Sequence, residues 1–336
     1  MAKRKVIVTI APTGGMAHKS QNPHLPTQPG EIADDVQRCW NAGASVVAIH
    51  ARRPDDGATC NADIYRDINT RIRAKGCDIV INNSTGGGVH GDMVRPLSGD
   101  RWEIAWEERI KGMDAGAEMC TLDATTLNLS FDGREILMDT PLSKGRELAL
   151  GMKARGIKPE WEVFSPTHIL QDATTLIDEG HDEGPHFINL VMNVHRSFQN
   201  AMPYSPRYLQ MMVDTLPRNS IFCVSGIGPS QLEANVAALL LGGHARVGLE
   251  DNLYFRQGEL ATNVQLTERI VRIIRERGGR FLRRDDATGQ WIDVGDKKAA
   301  EKTSQALREG LDVRLHHGGG KKASRRHSGS SVDTDE

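Results

Sequence analysis

The sequence predicts an α/β protein with the (β/α)8 fold, the TIM barrel. Eight short apolar runs alternate with longer amphipathic stretches over about 275 residues, close to the usual size of this barrel, about 250 residues. Most of the runs are continuously apolar, as expected for a parallel sheet covered on both sides. An open doubly wound sheet is the alternative, but the first run ends in APTGGM and lacks the GxGxxG fingerprint that opens a helix in that fold.

Each predicted strand is followed by a predicted helix. The apolar runs that we expect to be strands lie at 6–11, 45–50, 78–83, 118–122, 159–164, 187–194, 221–226 and 245–249. The amphipathic stretches predict helices at 30–42, 62–75, 102–115, 142–155, 167–179, 206–216, 230–241 and 263–277. Several of these stretches end in glycine, which most easily takes the left-handed conformation just past a helix. We expect the barrel domain to occupy residues 1–284.

The C-terminal part of the sequence has a different character. Residues 285–336 are polar, and from about residue 314 the chain is rich in Gly, Ser, Lys and Arg without apolar periodicity. Such a composition buries too little surface to offset the entropy lost on ordering. We therefore expect a polar extension that is largely disordered from about residue 314.

The composition excludes several classes of function. The 42 Lys and Arg residues nearly balance the 44 Asp and Glu residues, so a net charge of −2 predicts no partner among nucleic acids or membranes. No run reaches the roughly 20 apolar residues of a membrane span, and the first apolar run is too short for a secretion signal. The 5 cysteines are widely spaced and form no CxxC motif, which favours a reducing cytoplasm.

Candidate functional residues collect where the predicted strands end, which is the active-site face of this fold. His50 ends the second run, while Arg246, Glu250 and Asp251 cluster at the end of the eighth. Once the barrel closes, only the first strand separates these two groups. An imidazole and a carboxylate there could bind Zn²⁺ or a similar cation. From spacing alone, a hydrogen-bonded histidine and an ion-paired glutamate are favoured over a metal site.

The acidic residues at these strand ends need partners. A buried carboxylate is costly unless paired, so Arg246 or a metal should neutralise at least one of Glu250 and Asp251. A carboxylate held by an arginine can act as a general base, although a helix cap is the alternative for Asp251. On the fifth run, Glu160 and Glu162 share one face and also require an arginine or a substrate as partner.

The third run ends in the glycine-rich segment NNSTGGG. Ser84 offers a hydroxyl group, and the glycines at 86–88 let a ligand approach the backbone N–H groups. A cradle for a carboxylate or phosphate and an ordinary turn are both compatible with this segment.

Taken together, these motifs resemble the β-keto acid cleavage enzymes. The resemblance runs from about residue 5 to about residue 280 and is carried by TIAPTGG, NPHLPTQPGEIA, GASVVAIHAR with PDDG, INNSTGGG, AEMCTLDATTLN, KPEWEVF, VSGIG and GGHARVGLEDN. Each motif is weak alone, but their joint order is specific. The resemblance implies a zinc-dependent barrel enzyme, expected to be a homo-oligomer, that combines a β-keto acid with acetyl-CoA and releases acetoacetate and a new acyl-CoA.

The resemblance also implies roles for individual residues. His50 and Glu250 would be zinc ligands, Asp251 the catalytic base and Arg246 its partner. The residues that would contact substrate are Ser84, Gly87, Thr121 and Glu162. The metal and the hydroxyl and N–H donors would stabilise the charge that develops on the enolate and on the substrate carboxylate.

Two positions depart from the family pattern. The second strand of the family ends in His-x-His-x-Arg, whereas Ala48 stands here at the first histidine, which leaves His18 and His90 as nearby candidates for a third ligand. Met16 stands where the enzyme for an aminated substrate has an acidic contact. A neutral or apolar acyl chain is therefore expected in place of an amino-bearing one.

Three functions are compatible with these residues. The first is a metal-assisted C-acetyltransferase of this family, with an altered metal site and with a β-keto acid and acetyl-CoA as its small-molecule partners. The second, motivated by Ala48, is a metal-free, non-catalytic barrel that binds a small anion or acyl-CoA. The third is a CoA-independent retro-Claisen or aldol-type lyase that uses the same residues, because barrels support many chemistries.

Overall fold

A sheet of eight parallel strands curls into a barrel at the centre of the fold. The computed structural model describes residues 5–276, 280–284 and 291–293. The barrel strands are β1 (Val8–Ile10), β2 (Val46–Ile49), β3 (Val80–Asn83), β4 (Met119–Leu122), β5 (Lys158–Val163), β6 (His186–Met192), β7 (Ser220–Gly226) and β8 (Ala245–Val247). Their bounds differ from the predicted ones by at most two residues, and the predicted (β/α)8 fold is confirmed.

A helix follows every strand. The helices are α1 (Pro29–Ala42), α2 (Ala62–Ala74), α3 (Trp106–Arg109), α4 (Leu142–Ala154), α5 (Thr174–Asp178), α6 (Pro206–Asp214), α7 (Gln231–Leu240) and α8 (Asn263–Glu276). A 3₁₀ turn, Ile110–Ala115, continues α3, and a π turn, His168–Ala173, precedes α5. Local sequence sets several helix starts: the Asn61 side chain accepts hydrogen bonds from the first turn of α2, and Ser205 caps α6.

The strands follow the order β7-β6-β5-β4-β3-β2-β1-β8, and all neighbours are parallel. At the seam between β7 and β8, the backbone N–H of His244 donates to the carbonyl of Phe222 at 2.6 Å. The barrel is thus nearly closed, and the carboxyl ends of all eight strands meet at one rim.

A four-stranded sheet outside the barrel was not predicted. It consists of Leu127–Phe131, Arg134–Met138, Arg101–Ile104 and Val94–Ser98, in that order. The predicted helix at 102–115 is therefore wrong in its first residues, because Trp102, Glu103 and Ile104 pair as a strand and α3 begins at Trp106. The amphipathic pattern of that stretch comes from an inner strand of this sheet that is followed almost directly by a helix.

The barrel interior has an apolar floor and a polar upper part. The floor is a separate cluster of buried side chains: Val46, Val80, Met119, Phe187 and Cys223. Thr9, Asn82, Asn189 and Arg246 are buried in the strands above or beside it. Polar side chains in a barrel interior must find partners there, and this requirement shapes the site described below.

The predicted C-terminal extension falls almost entirely outside the described residues. Within 285–336 the structure describes only the strand Trp291–Asp293, which pairs with Arg280–Arg284, and this second strand runs parallel to Lys5–Val6. The expected disorder from about residue 314 lies outside the described residues and stays a prediction. In the described segments, no helix is both long enough and apolar enough to cross a bilayer.

His168 makes folding stability depend on pH. The backbone N–H of Phe164 donates to His168 Nδ1 at 3.3 Å, and burial lowers the pKa of His168 from 6.5 to about 4. The unfolded chain therefore takes up this proton first, so the stabilisation is complete above about pH 6.5 and is lost as the pH falls towards 4. In His168→Asn, we expect melting temperatures to fall less between these pH values than in the unmodified chain. His195→Asn, at an exposed site, is the matched control and should keep the original slope; an unchanged slope in His168→Asn would contradict the assignment.

Candidate active site

Arg246 lies among three carboxyl groups at the carboxyl end of the barrel. Its Nη2 is 2.7 Å from Glu250 Oε1, and its Nε is 3.3 Å from Asp251 Oδ2. Its Nη1 is 3.3 Å from Oε1 of Glu162 on β5, which also accepts a hydrogen bond from Asn189 at 3.0 Å. Of the partners that the sequence left open, a metal or Arg246 for the acids after the eighth strand and an arginine or a substrate for Glu162, the structure shows Arg246 in both cases.

The same surroundings shift the pKa values of two adjacent carboxyl groups in opposite directions. Burial acts to raise the pKa of Glu250, but attraction to Arg246 and His50 outweighs it and lowers the pKa to about 2. Burial raises the pKa of Asp251 to about 6 in spite of Arg246. Glu250 is thus held as an anion, whereas Asp251 can exchange a proton.

Backbone contacts fix the segment that follows β8. The Asn235 side chain on α7 donates to the carbonyl of Arg246 at 2.7 Å and accepts from its N–H at 2.8 Å. Gly248 has a φ of +146°, and a Cβ there would lie 2.0 Å from the carbonyl oxygen of Ala11, so only glycine fits. The N–H of Glu250 donates to the same carbonyl at 3.1 Å. These contacts place both acids at the rim beside β1.

His50 faces Glu250 across the end of β1. His50 Nε2 lies 3.4 Å from Glu250 Oε1, and His50 Nδ1 lies 3.1 Å from the carbonyl oxygen of Gly87. With Nδ1–H donating to that carbonyl, Nε2 is directed at the Glu250 carboxylate, and a cation bound there would be held by Nε2 and Glu250, with Nδ1 anchored as in most metal-binding histidines. Glu250 Oε2 is buried and has no hydrogen-bond partner within the described residues.

The glycine-rich segment after β3 forms a braced loop. Ser84 Oγ accepts hydrogen bonds from the N–H groups of Gly86 at 3.1 Å and Gly87 at 3.3 Å, which leaves its own proton for a ligand. Ser84 lines the cavity, whereas Gly87 acts through its carbonyl on His50. Thr121 lies behind this loop, where its Oγ1 accepts from the N–H of Thr85 at 3.0 Å. The structure thus brings Ser84 to the cavity and gives Gly87 and Thr121 supporting contacts.

The strand-end residues surround a cavity of about 240 Å³. Its lower wall contains His50, Glu162, Arg246, Glu250 and Asp251, the predicted cluster. Its upper wall is largely apolar, with side chains from the first loop, the outer sheet and the loop after β6: Met16, Ile104, Leu129, Met138, Val194 and Phe198.

Asp123 is a cavity residue that the sequence did not single out. It follows β4 directly and is only 3% exposed, and its carboxyl group is hydrogen-bonded to that of Glu162. Burial, together with the neighbouring Asp123, raises the pKa of Glu162 well above its usual range. Two hydrogen-bonded carboxyl groups must share a proton. An acid directly after an apolar run was the available signal, as at Glu250.

His18 and His90 do not supply a third ligand beside His50. His18 is exposed and lies against the ring of His90, with 4.9 Å between the ring centroids. His90 Nε2 lies 2.8 Å from Arg52 Nη1, and its Nδ1 lies 3.1 Å from the N–H of Ala58. No group of three His, Cys, Asp or Glu residues in the described part of the chain is arranged to hold a metal. The residues present fit one divalent cation through two side chains, His50 and Glu250.

The comparison with known families agrees with this site. A family model described as beta-keto acid cleavage enzyme matches residues 5–289. The chain belongs to this family and is an enzyme of it. The 3-dehydrocarnitine:acetyl-CoA trimethylamine transferase of Rhizobium meliloti (strain 1021) is 36% identical over 83% of this chain and 93% of its own length.

Other relatives carry different substrate names. A 3-keto-5-aminohexanoate cleavage enzyme of Fusobacterium nucleatum subsp. nucleatum is 33% identical, covering 84% of this chain and 96% of that protein. Among solved structures, the apo form of ObcA superposes with a TM-score of 0.59 at 18% identity, over 78% of this chain and 64% of that chain. This last likeness concerns the fold alone.

Loss of the central guanidinium should strongly destabilise the protein. In Arg246→Ala, the carboxyl groups of Glu162, Glu250 and Asp251 would be left buried without their cation, so we expect the free energy of unfolding to fall by about 3–5 kcal/mol. Urea denaturation measures this change. Arg256→Ala is the matched control, because Arg256 is 77% exposed and pairs with Glu259 on the surface; it should cost less than about 1 kcal/mol. Equal losses in both variants would argue against a central role for Arg246.

Proposed function

We propose that the chain catalyses the acetyl-CoA-dependent cleavage of a β-keto acid, giving acetoacetate and a new acyl-CoA, with a divalent cation, zinc by resemblance, at His50 and Glu250. The observation that carries the proposal is the buried Asp251–Arg246 pair, which shares one cavity wall with the His50–Glu250 pair. Family membership, and relatives that are named acetyl-CoA transferases, support the general reaction.

In this proposal Asp251 moves the proton. Its carboxylate, oriented by Arg246 Nε and Nη2 at 3.3 Å, removes a proton from the carbon between the keto and carboxylate groups. That carbon attacks the thioester carbonyl of acetyl-CoA, and the CoA thiolate leaves. The thiolate then attacks the original keto carbon of the β-keto acid. The bond between this keto carbon and the carbon that Asp251 deprotonated breaks, and acyl-CoA departs. Asp251 returns the proton to the carbon of acetoacetate.

The other residues of the cavity hold the substrate. Ser84 donates its hydroxyl proton to the substrate carboxylate. A cation at His50 and Glu250 supplies Lewis-acid stabilisation of the enolate charge when it is bound.

The cavity walls favour an uncharged acyl chain. Met16 and the side chains of the outer sheet present apolar surface above the acidic and basic groups. A cationic amino group there would lose its hydration without gaining a counter-charge from Met16. We propose a neutral or apolar β-keto acid as substrate, and a homo-oligomer in the cytoplasm as the working form. The non-catalytic barrel is not favoured, because all parts of an acid–base site are assembled.

An exchange reaction tests the function without knowledge of the acyl chain. With acetoacetate as the β-keto acid, the reaction is degenerate, and radiolabelled acetyl-CoA passes its label into acetoacetate. We expect this exchange in the zinc-supplemented protein, and a fall of about 10²–10⁴-fold in Asp251→Asn, which keeps the shape but not the base. Melting temperatures verify that the variant is folded. Absence of exchange in the unmodified protein would refute the function; a full rate in Asp251→Asn would refute the role of the base.

Met16 allows a test of the substrate class. In Met16→Glu, a carboxylate would meet the amino group of 3-keto-5-aminohexanoate, so we expect its kcat/KM to rise relative to 3-ketohexanoate by about fivefold, or ~1 kcal/mol. The matched control, Met16→Gln, has a similar size and no charge. If the ratio of the two kcat/KM values changes equally in both variants, the size of the side chain at position 16, and not its charge, determines the preference between these substrates.

A further inference from the structure

Two side chains are a small donor set for a catalytic metal. His50 Nε2 and Glu250 Oε1 lie 3.4 Å apart, His50 Nδ1 is held by the Gly87 carbonyl, and Glu250 Oε2 is buried without a partner in the described part of the chain. Catalytic zinc sites usually take three protein ligands and keep one open position. This chain therefore leaves at least two positions to be filled from outside the protein.

The surroundings of Ala48 show why a third protein ligand is missing. Ala48 precedes His50 by two residues and faces the same side of β2, where it is 2% exposed and contributes no donor. Its partner in register on β3 is Asn82, whose Oδ1 is buried and unpartnered among the described residues. Thr9 Oγ1 on β1 is likewise buried and unpartnered there. Neutral amide and hydroxyl oxygens are weaker ligands for zinc than imidazole or carboxylate.

The acidic residues of the cavity disfavour an anionic substrate that binds without a cation. Glu250 and Asp251 lie beside Glu162, and among the described residues the one guanidinium in contact with all three is that of Arg246. A β-keto acid that enters without a cation would bring a further carboxylate into this group. Because a β-keto acid offers a keto and a carboxylate oxygen within chelating distance of each other, it can also fill the open positions of the cation.

We infer that the cation and the β-keto acid bind as mutually dependent ligands in this chain, each raising the affinity for the other. The inference rests on the proposed function for the identity of the chelating anion. By linkage, the two enhancements must be equal in size. The cation would leave with the product unless a new substrate arrives, so the protein purified without substrate should retain little metal.

Calorimetric titration tests the coupling directly. We expect zinc to bind between about 5- and 150-fold more tightly in saturating acetoacetate than in its absence, and acetoacetate to bind more tightly by the same factor in zinc. Ala48→His adds an imidazole beside His50, so zinc alone should bind more tightly and acetoacetate should have a smaller effect. Ala48→Asn fills the same position without an imidazole and should retain the coupling. Glu250→Gln should abolish the coupling, and this variant controls for chelation of zinc by acetoacetate in free solution.

Two results would overturn the inference: tight zinc binding that is indifferent to acetoacetate, or no zinc binding in either condition. The coupling measurement in the unmodified chain stands even if Ala48→His fails to fold. The two proposals fail separately. Coupled binding without acetyl exchange would refute the proposed function and leave the inference intact, whereas acetyl exchange in protein without coupled binding would refute the inference alone.

Discussion

The position of one guanidinium group, that of Arg246, governs the rest of the site. Its backbone is tied to α7 through Asn235, and its side chain reaches across the interior to Glu162 on β5. The barrel can bury Glu162, Glu250 and Asp251 together only because a cation lies within 3.3 Å of each. The polar upper part of the interior, and the cavity above it, follow from that constraint.

The same guanidinium contacts two neighbouring carboxyl groups whose pKa values differ. Glu250 lies 2.7 Å from Arg246 and faces His50, so its pKa is low and it stays charged. Asp251 makes longer contacts of 3.3 Å and is 3% exposed, so burial raises its pKa. A permanently anionic group suits the binding of a cation, and a group of raised pKa suits proton transfer. The difference between the two pKa values arises from geometry within one segment of chain.

The sequence predicted the barrel and the grouping of charged residues at its rim, because both have local signals. Buried parallel strands are continuously apolar; His50 ends such a run, Arg246 lies within one and Glu250 directly follows it. The outer four-stranded sheet was missed because strand and helix adjoin without a turn signal between Ile104 and Trp106. Asp123 was missed because its meaning depends on Glu162, which is distant in sequence. Long-range pairing of this kind has no counterpart in the spacing of residues.

The outer sheet, which was not predicted, also explains why the sequence indicates a class of reaction but no particular acyl chain. Charged and hydroxyl groups come from the strand ends, whose places are fixed by the barrel, and in the proposed function they bind the part of the substrate that every β-keto acid shares. Ile104, Leu129 and Met138 from the outer sheet line the part of the cavity where, in this proposal, the variable acyl chain would lie. These residues are separated in sequence and become one apolar wall only when Arg134–Met138 pairs with its two neighbours. The apolar wall of the cavity therefore depends on the pairing of the outer strands, whereas its charged wall depends only on where the barrel strands end.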